Sequence, residues 1–285
     1  MNQDLDKKKW KKIFDDNLWL VDGRFSIPPS DNPAEIEILF KKILKNDPKK
    51  IMRASDDLKS IRNVVLEGIK AHYDTFQFIS DDLKADRDFI LDAVKMNGVV
   101  LKFVDDKFKS DREIVEIAIE NYGYMLEDAS AELQNDRELV LKAVTDSGTV
   151  LKYANDRFKS DREIVEKALQ SNGCAWECIS DELKCDKRLA LMAVKNRGDI
   201  IRYQFKDFKS VIDYTDDEEI MLLAIESNIW AFKESSERLK ADEDYILKAI
   251  KKRAPLITDV SEEFLKDEKF IEKAIKVNPD VKKFI

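Results

Sequence analysis

The residues whose type and spacing could do the sharpest chemistry are Cys174, Cys178 and Cys185. Residues four apart share a helical face, so Cys174 and Cys178 could offer two thiolates to one metal ion. A structural zinc site needs four such ligands. The chain has one histidine, His72, four repeats of 25 residues before Cys174. If each repeat is one helical layer, they stand more than roughly 30 Å apart at helix-packing spacings. His72 therefore completes no site with these thiols, nor can it serve as base for them, since a nucleophile needs its base within hydrogen-bond reach. Three cysteines make no disulfide framework, and small buried thiols are the expectation. Carboxylates number 58, so pairs of them carry no information about acid–base work. No glycine loop cradles phosphate, because the glycines recur at a fixed spacing. The sequence predicts no enzyme, no metal and no cofactor.

Two constellations could instead bind. Tyr203, Asp213, Tyr214, Trp230 and Phe232 gather aromatics beside charge around an interruption of the repeat, a place and a composition favoured in recognition. The carboxylates there, Asp213, Asp216, Asp217, Glu218 and Glu219, lack the spacing of a calcium loop. The pairs Lys102-Phe103, Lys152-Tyr153 and Arg202-Tyr203 recur every 50 residues, in the manner of helical repeats that stack single bases. Between them fall Glu127-Asp128 and Glu177-Cys178, which would repel phosphates, and the net charge is −8. Another protein is thus the expected partner, with RNA or DNA the alternative.

These residues are positioned by a unit of about 25 residues. It opens on Asp86, Asp111, Asp136, Asp161, Asp186, Asp217, Asp242 and Asp267. Aspartate is a good N-cap, and Glu113, Glu138 and Glu163 two residues on suit the positive end of a helix dipole. Apolar residues follow at positions four, five, eight and nine, such as Ile114, Val115, Ala118 and Ile119, one face of a 3.6-residue period. Position eight is alanine from Ala93 to Ala274, small enough for a neighbouring helix to approach. Position thirteen is Gly98, Gly123, Gly148, Gly173 and Gly198, read as left-handed residues that end a helix of about eleven residues. A shorter helix and a turn plugged by Leu or Phe at position twenty-three complete the layer, with Phe208 as the plug of the Asp186 layer. From Phe108 onward the plug alternates Phe and Leu, and position seventeen alternates in sign through Lys102, Glu127, Lys152, Glu177 and Arg202. The genetic unit is therefore two layers, and that column predicts an ion-pair ladder. Neither helix buries its stripe alone, so the layers must stack.

The pattern DRE-[IL]-V-x-x-A-[VIL]-x-x-x-G followed by [LW]-x-x-[AI]-[SN]-x-x-[LF]-x-x-D resembles the repeat called domain of unknown function 4116, over about residues 86–210 and more loosely over 36–85 and 217–285. The resemblance implies tandem helical repeats, found in bacterial proteins that include effectors of intracellular bacteria, in protists and in large viruses. It carries no shared activity and no functional residues.

The expected fold is all-α: an α-solenoid of 25-residue two-helix layers, forming one elongated body with an N-terminal cap. Residues 1–35 form that cap, with a helix from Asp4 to Asn17 placing Trp10, Ile13 and Phe14 on one side. The basic run Lys7 to Lys12 inside it is too short to specify a membrane or nucleic acid. Seven layers fill 36–210, six inserted residues 211–216, and three layers 217–285. Beyond the insertion position two switches from Arg or Lys to Glu218, Glu243 and Glu268. No apolar run nears the ~18 residues of a membrane span, and the N-terminus lacks a signal-peptide core, so a cytoplasmic protein, or one delivered without such a peptide, is expected. The functional expectation is a non-catalytic scaffold or inhibitor, in the setting of a bacterial effector or a phage-borne inhibitor of a host protein.

Overall fold

The computed structural model describes residues 20–21, 24–25, 51–52, 54, 59–203 and 212–285. The chain folds as two compact units, Met1–Leu133 and Gln134–Ile285, where the unbroken period predicts one body. Each is an all-α stack of two-segment layers, an α-solenoid. A small exception lies within the first: Leu20–Val21 and Arg24–Phe25 pair antiparallel, Leu20 with Phe25 and Val21 with Arg24. Between them the sequence is Asp22-Gly23, which favours a tight hairpin. The expected capping helix from Asp4 to Asn17, with the Lys7 to Lys12 run, lies outside the described residues.

The first unit contains the long helices α1 (Arg62–Ala71), α2 (Arg87–Met96) and α3 (Arg112–Asn121). The second contains α4 (Arg137–Asp146), α5 (Arg162–Ser171), α6 (Lys187–Asn196), α7 (Glu218–Ser227), α8 (Glu243–Lys252) and α9 (Glu268–Val277). Each has ten residues. From α2 on, each starts after an aspartate whose carboxylate accepts backbone amides of the first turn: Asp111 takes those of Glu113 and Ile114 at 3.1 and 3.4 Å. The stripe at positions four, five, eight and nine faces inward, and Ile114, Val115 and Ala118 are fully buried. Burying one such branched side chain stabilises by about 1.5–3 kcal/mol.

The helices do not end on a left-handed glycine. One extended residue at position twelve ends each: Asn97, Asn172 and Asn278 have φ of −157°, −152° and −149°. Their side chains at once cap the second segment, accepting the amides of Val99, Cys174 and Asp280 at 3.1, 2.9 and 3.2 Å. The glycine that follows is demanded by close approach. A Cβ on Gly98 would stand 2.9 Å from the Ala118 carbonyl oxygen, and one on Gly198 2.7 Å from that of Ala224. Gly148 and Gly173 meet the carbonyls of Ala168 and Ala193 more closely still. None of the four has a left-handed φ.

The second segment is a six-residue 3₁₀ helix in Gly98–Phe103, Gly123–Asp128, Gly148–Tyr153 and Gly173–Cys178. It buries positions thirteen, fifteen and sixteen, as Gly98, Val100 and Leu101, and the residue that caps it at position nineteen, Val104, is buried too.

Layers are joined at both edges. The Ser130, Ser180 and Ser236 amides donate to the Lys109, Lys159 and Thr215 carbonyls of the preceding layer, each at 2.9 Å. An ion-pair ladder runs through position two. Arg87 pairs with Asp111 and Glu113 at 2.6 and 2.7 Å, Arg137 with Asp161 and Glu163 at 3.0 and 2.6 Å, and Lys187 with Asp217 and Glu219 at 2.8 and 2.9 Å. Position two can carry cations there because each next layer presents its cap and a glutamate. Beyond the insertion the ladder inverts: Glu218 takes Lys248 at 2.7 Å and Glu243 takes Lys273 at 2.6 Å. The switch from Arg to Glu thus preserves interlayer pairing. At position seventeen, where two cations follow one another across the insertion, Arg202 and Lys233 each reach an acid one position further on in the next layer, Glu234 at 3.6 Å and Asp259 at 3.0 Å. Such exposed pairs contribute about 0–1 kcal/mol each.

Candidate interaction surface at the Trp230 pocket

The interruption is best located from Tyr214. It sits three residues before the cap Asp217, as Phe158 does before Asp161, and opens the turn Tyr214–Asp216. Tyr214 is therefore the plug of its layer, 4% exposed, its ring edge-on to Trp176 at 6.0 Å. Its hydroxyl donates to the Lys184 carbonyl at 2.6 Å, at the place where Lys109 and Lys159 accept serine amides. Burial pushes this phenol up to about 12, which keeps it a donor. Phe208, the plug expected at the regular spacing, lies outside the described residues. Of the insertion expected close to Val211 to Asp216, Val211 likewise lies outside the described residues.

This register separates the expected contact residues. Tyr214 and Phe232 are core. Phe232 is 2% exposed and stacks on Tyr245 at 6.2 Å, because its position sixteen is the one that buries Leu126, Leu151 and Trp176. Asp213 accepts the amide and hydroxyl of Thr215, capping the turn. Tyr203 ends the short helix Ile200–Tyr203, and its side chain lies outside the described residues. Of the three described aromatics among the five, Trp230 is the exposed one, at 58%.

Trp230 borders a pocket lined also by Gly198, Asp199, Ile201, Arg202, Asn228 and Ala231. Two layers build it. Gly198 lets α7 close in, Ile201 forms a buried floor, and Asn228 accepts the Trp230 amide at 3.1 Å, fixing where the indole leaves the chain. The charges around it are matched. Arg197 grips Asp199 through two bonds of 3.1 and 2.6 Å, and this guanidinium holds the carboxyl below the usual carboxylate range. Arg202 lies 3.6 Å from Glu234, and Lys233 covers one face of the indole at 4.6 Å while pairing with Asp259. The apolar indole is left presented within a locally neutralised rim. Asn228 was missed in the sequence, although the period exposes it: position twelve repeats as Asn97, Asn172 and Asn278.

The alternative nucleic-acid residues are placed otherwise. Phe103 is half-buried and stacks on Tyr73 at 5.9 Å, with rings 16° apart, and Lys152 lies over Tyr153 at 4.5 Å. Both rings already have a face occupied. Lys102 is exposed. His72 accepts the Asp74 amide through Nδ1 at 3.4 Å, acting as the cap that asparagine supplies elsewhere. Cys174 and Cys178 are half-buried and Cys185 exposed, and burial raises the Cys178 thiol. No group of metal-binding residues occurs among the described residues, and no helix among them is long and apolar enough to cross a membrane.

A family model described as "Domain of unknown function (DUF4116)" matches residues 38–84, 86–134, 136–184, 161–209, 217–256 and 242–281. No curated protein and no solved structure matches the chain.

Proposed function

The chain belongs to the DUF4116 family, and from that premise we propose that it is a non-catalytic helical-repeat protein that binds another protein through the Trp230 pocket. The observation that carries this reading is the indole itself: 58% exposed, held by Asn228 and set beside a pocket whose ionic groups are paired. Tryptophan and arginine are both enriched among the residues that carry binding energy in protein interfaces. Preformed layers also spare the ordering cost that weakens flexible binding segments. The partner contributes an apolar side chain to the pocket and polar groups to Asp199 and Arg202.

A scaffold or inhibitor needs no chemistry of its own, and the engagement of His72 as a helix cap supports that reading. The proposed setting is the cytoplasm, or a host cytosol, as for a bacterial effector or a phage-borne inhibitor. Replacing Trp230 by alanine tests the proposal. The variant should keep its stability, because the side chain packs on little, and should lose the partner.

A further inference from the structure

A second surface lies on the outer face of α6 and α7. At positions six and seven these two helices carry Leu191-Met192 and Leu222-Leu223, all half-buried, whereas every other long helix has a charged residue at one of the two. Three of them, Leu191, Met192 and Leu223, line an open groove between the helices together with Arg188, Lys195 and Glu219.

The charges flanking the strip identify the occupant. Positions three and ten lie on the same helical stripe as six and seven. On α6 they are Arg188 and Lys195; on α7 they are Glu219 and Glu226. One helix is therefore basic at both ends of its apolar pair and the other acidic at the same two heights. Consider a two-fold axis parallel to the helices and midway between them. It lays α6 of one copy on α7 of the other without changing height. Arg188 then faces Glu219, Lys195 faces Glu226, and the leucines and methionine meet between them. A self-complementary patch of this sort is what a two-fold interface requires. Lys195 has no ion partner within the chain among the described residues, and Arg188, though paired with Glu166 at 2.5 Å, keeps 69% of its side chain exposed. Glu219 and Glu226 are paired within the chain with Lys187 at 2.9 Å and Lys252 at 2.7 Å, but keep 64% and 61% of their side chains exposed, so all four groups can take a partner across an interface.

We propose that this face joins two copies of the chain into a parallel two-fold dimer, α6 against α7. The surface is separate from the Trp230 pocket, and its failure would leave that reading standing.

Charge exchange tests it, read by sedimentation equilibrium. The unmodified full chain should show a concentration-dependent species of twice the chain mass. A chain carrying Arg188→Glu and Lys195→Glu presents four acids, and one carrying Glu219→Arg and Glu226→Lys presents four bases. Each alone should lose at least tenfold in self-association. Mixed, they should form a one-to-one heterodimer, which also shows that both are folded. An unmodified chain that stays monomeric at every concentration overturns the proposal and assigns the groove to a different protein. A dimer that survives either exchange, or exchanged chains that fail to associate when mixed, overturns it equally.

Discussion

Gly98 lies so close to the carbonyl of Ala118 that a Cβ would stand 2.9 Å from its oxygen. The same relation recurs between Gly148 and Ala168, Gly173 and Ala193, and, across the six-residue insertion, Gly198 and Ala224. Glycine at position thirteen and alanine at position eight are thus two halves of one device that sets the distance between layers.

That device predicts an unusual ranking at Gly148. Overpacking a tight contact costs about 1–3 kcal/mol, so Gly148→Ala should lower the urea midpoint accordingly. A left-handed helix end would favour asparagine over alanine. Here Gly148→Asn should be no better than Gly148→Ala, and a clear gain for asparagine in equilibrium unfolding would contradict the close-approach account.

Tyr214→Phe removes only the hydroxyl that reaches the Lys184 carbonyl. The expected loss is about 1 kcal/mol. Since burial pushes the phenol up to about 12, the gap between the two proteins should be constant from neutral pH to about 10. Tyr214→Ala should cost about 3 kcal/mol or more by emptying the space against Trp176. Equal stability of the unmodified and phenylalanine proteins would remove the interlayer role assigned to this hydroxyl.

The position-two ladder makes stability acid-sensitive. The Arg87 guanidinium holds Asp111, and that of Arg162 holds Asp186, below the ordinary carboxylate range. A carboxylate depressed on folding stabilises fully above its unfolded value of about 3.9, and that stabilisation is lost as pH falls through the folded value. Unfolding midpoints should therefore vary little on this account between neutral pH and about 5 and decline below about 4. Arg87→Gln with Arg162→Gln should flatten that decline only slightly, because the pairs are solvent-screened. An unchanged acid profile in the double variant would show that the ladder adds nothing.

The periodic parts of this structure were legible in the sequence, since they repeat. The aspartate caps, the inward stripe and the solenoid class all follow from residues such as Asp111, Ile114 and Ala118. Gly148 was misread because glycine serves both a left-handed cap and a close approach, and the sequence does not say which. The plug role of Tyr214 was not legible, because its six-residue displacement from the regular spacing hides it until it is seen packed against Trp176. Phe232 could have been assigned to the core from its position sixteen, had register outweighed its aromatic character. The pairing of Leu20–Val21 with Arg24–Phe25 has no counterpart in the helical period, which covers no residue before 36. Trp230 was found, but its pocket was not, because Gly198, Asn228 and Ile201 meet it only once the layers stack.

The most direct test of the binding account is affinity purification of the tagged full chain from its source lysate, with and without nuclease, beside Trp230→Ala. A stoichiometric protein that survives nuclease and is lost with the indole is the predicted result. Partners that vanish on nuclease treatment, recovered nucleic acid, or a protein partner indifferent to Trp230→Ala would contradict it.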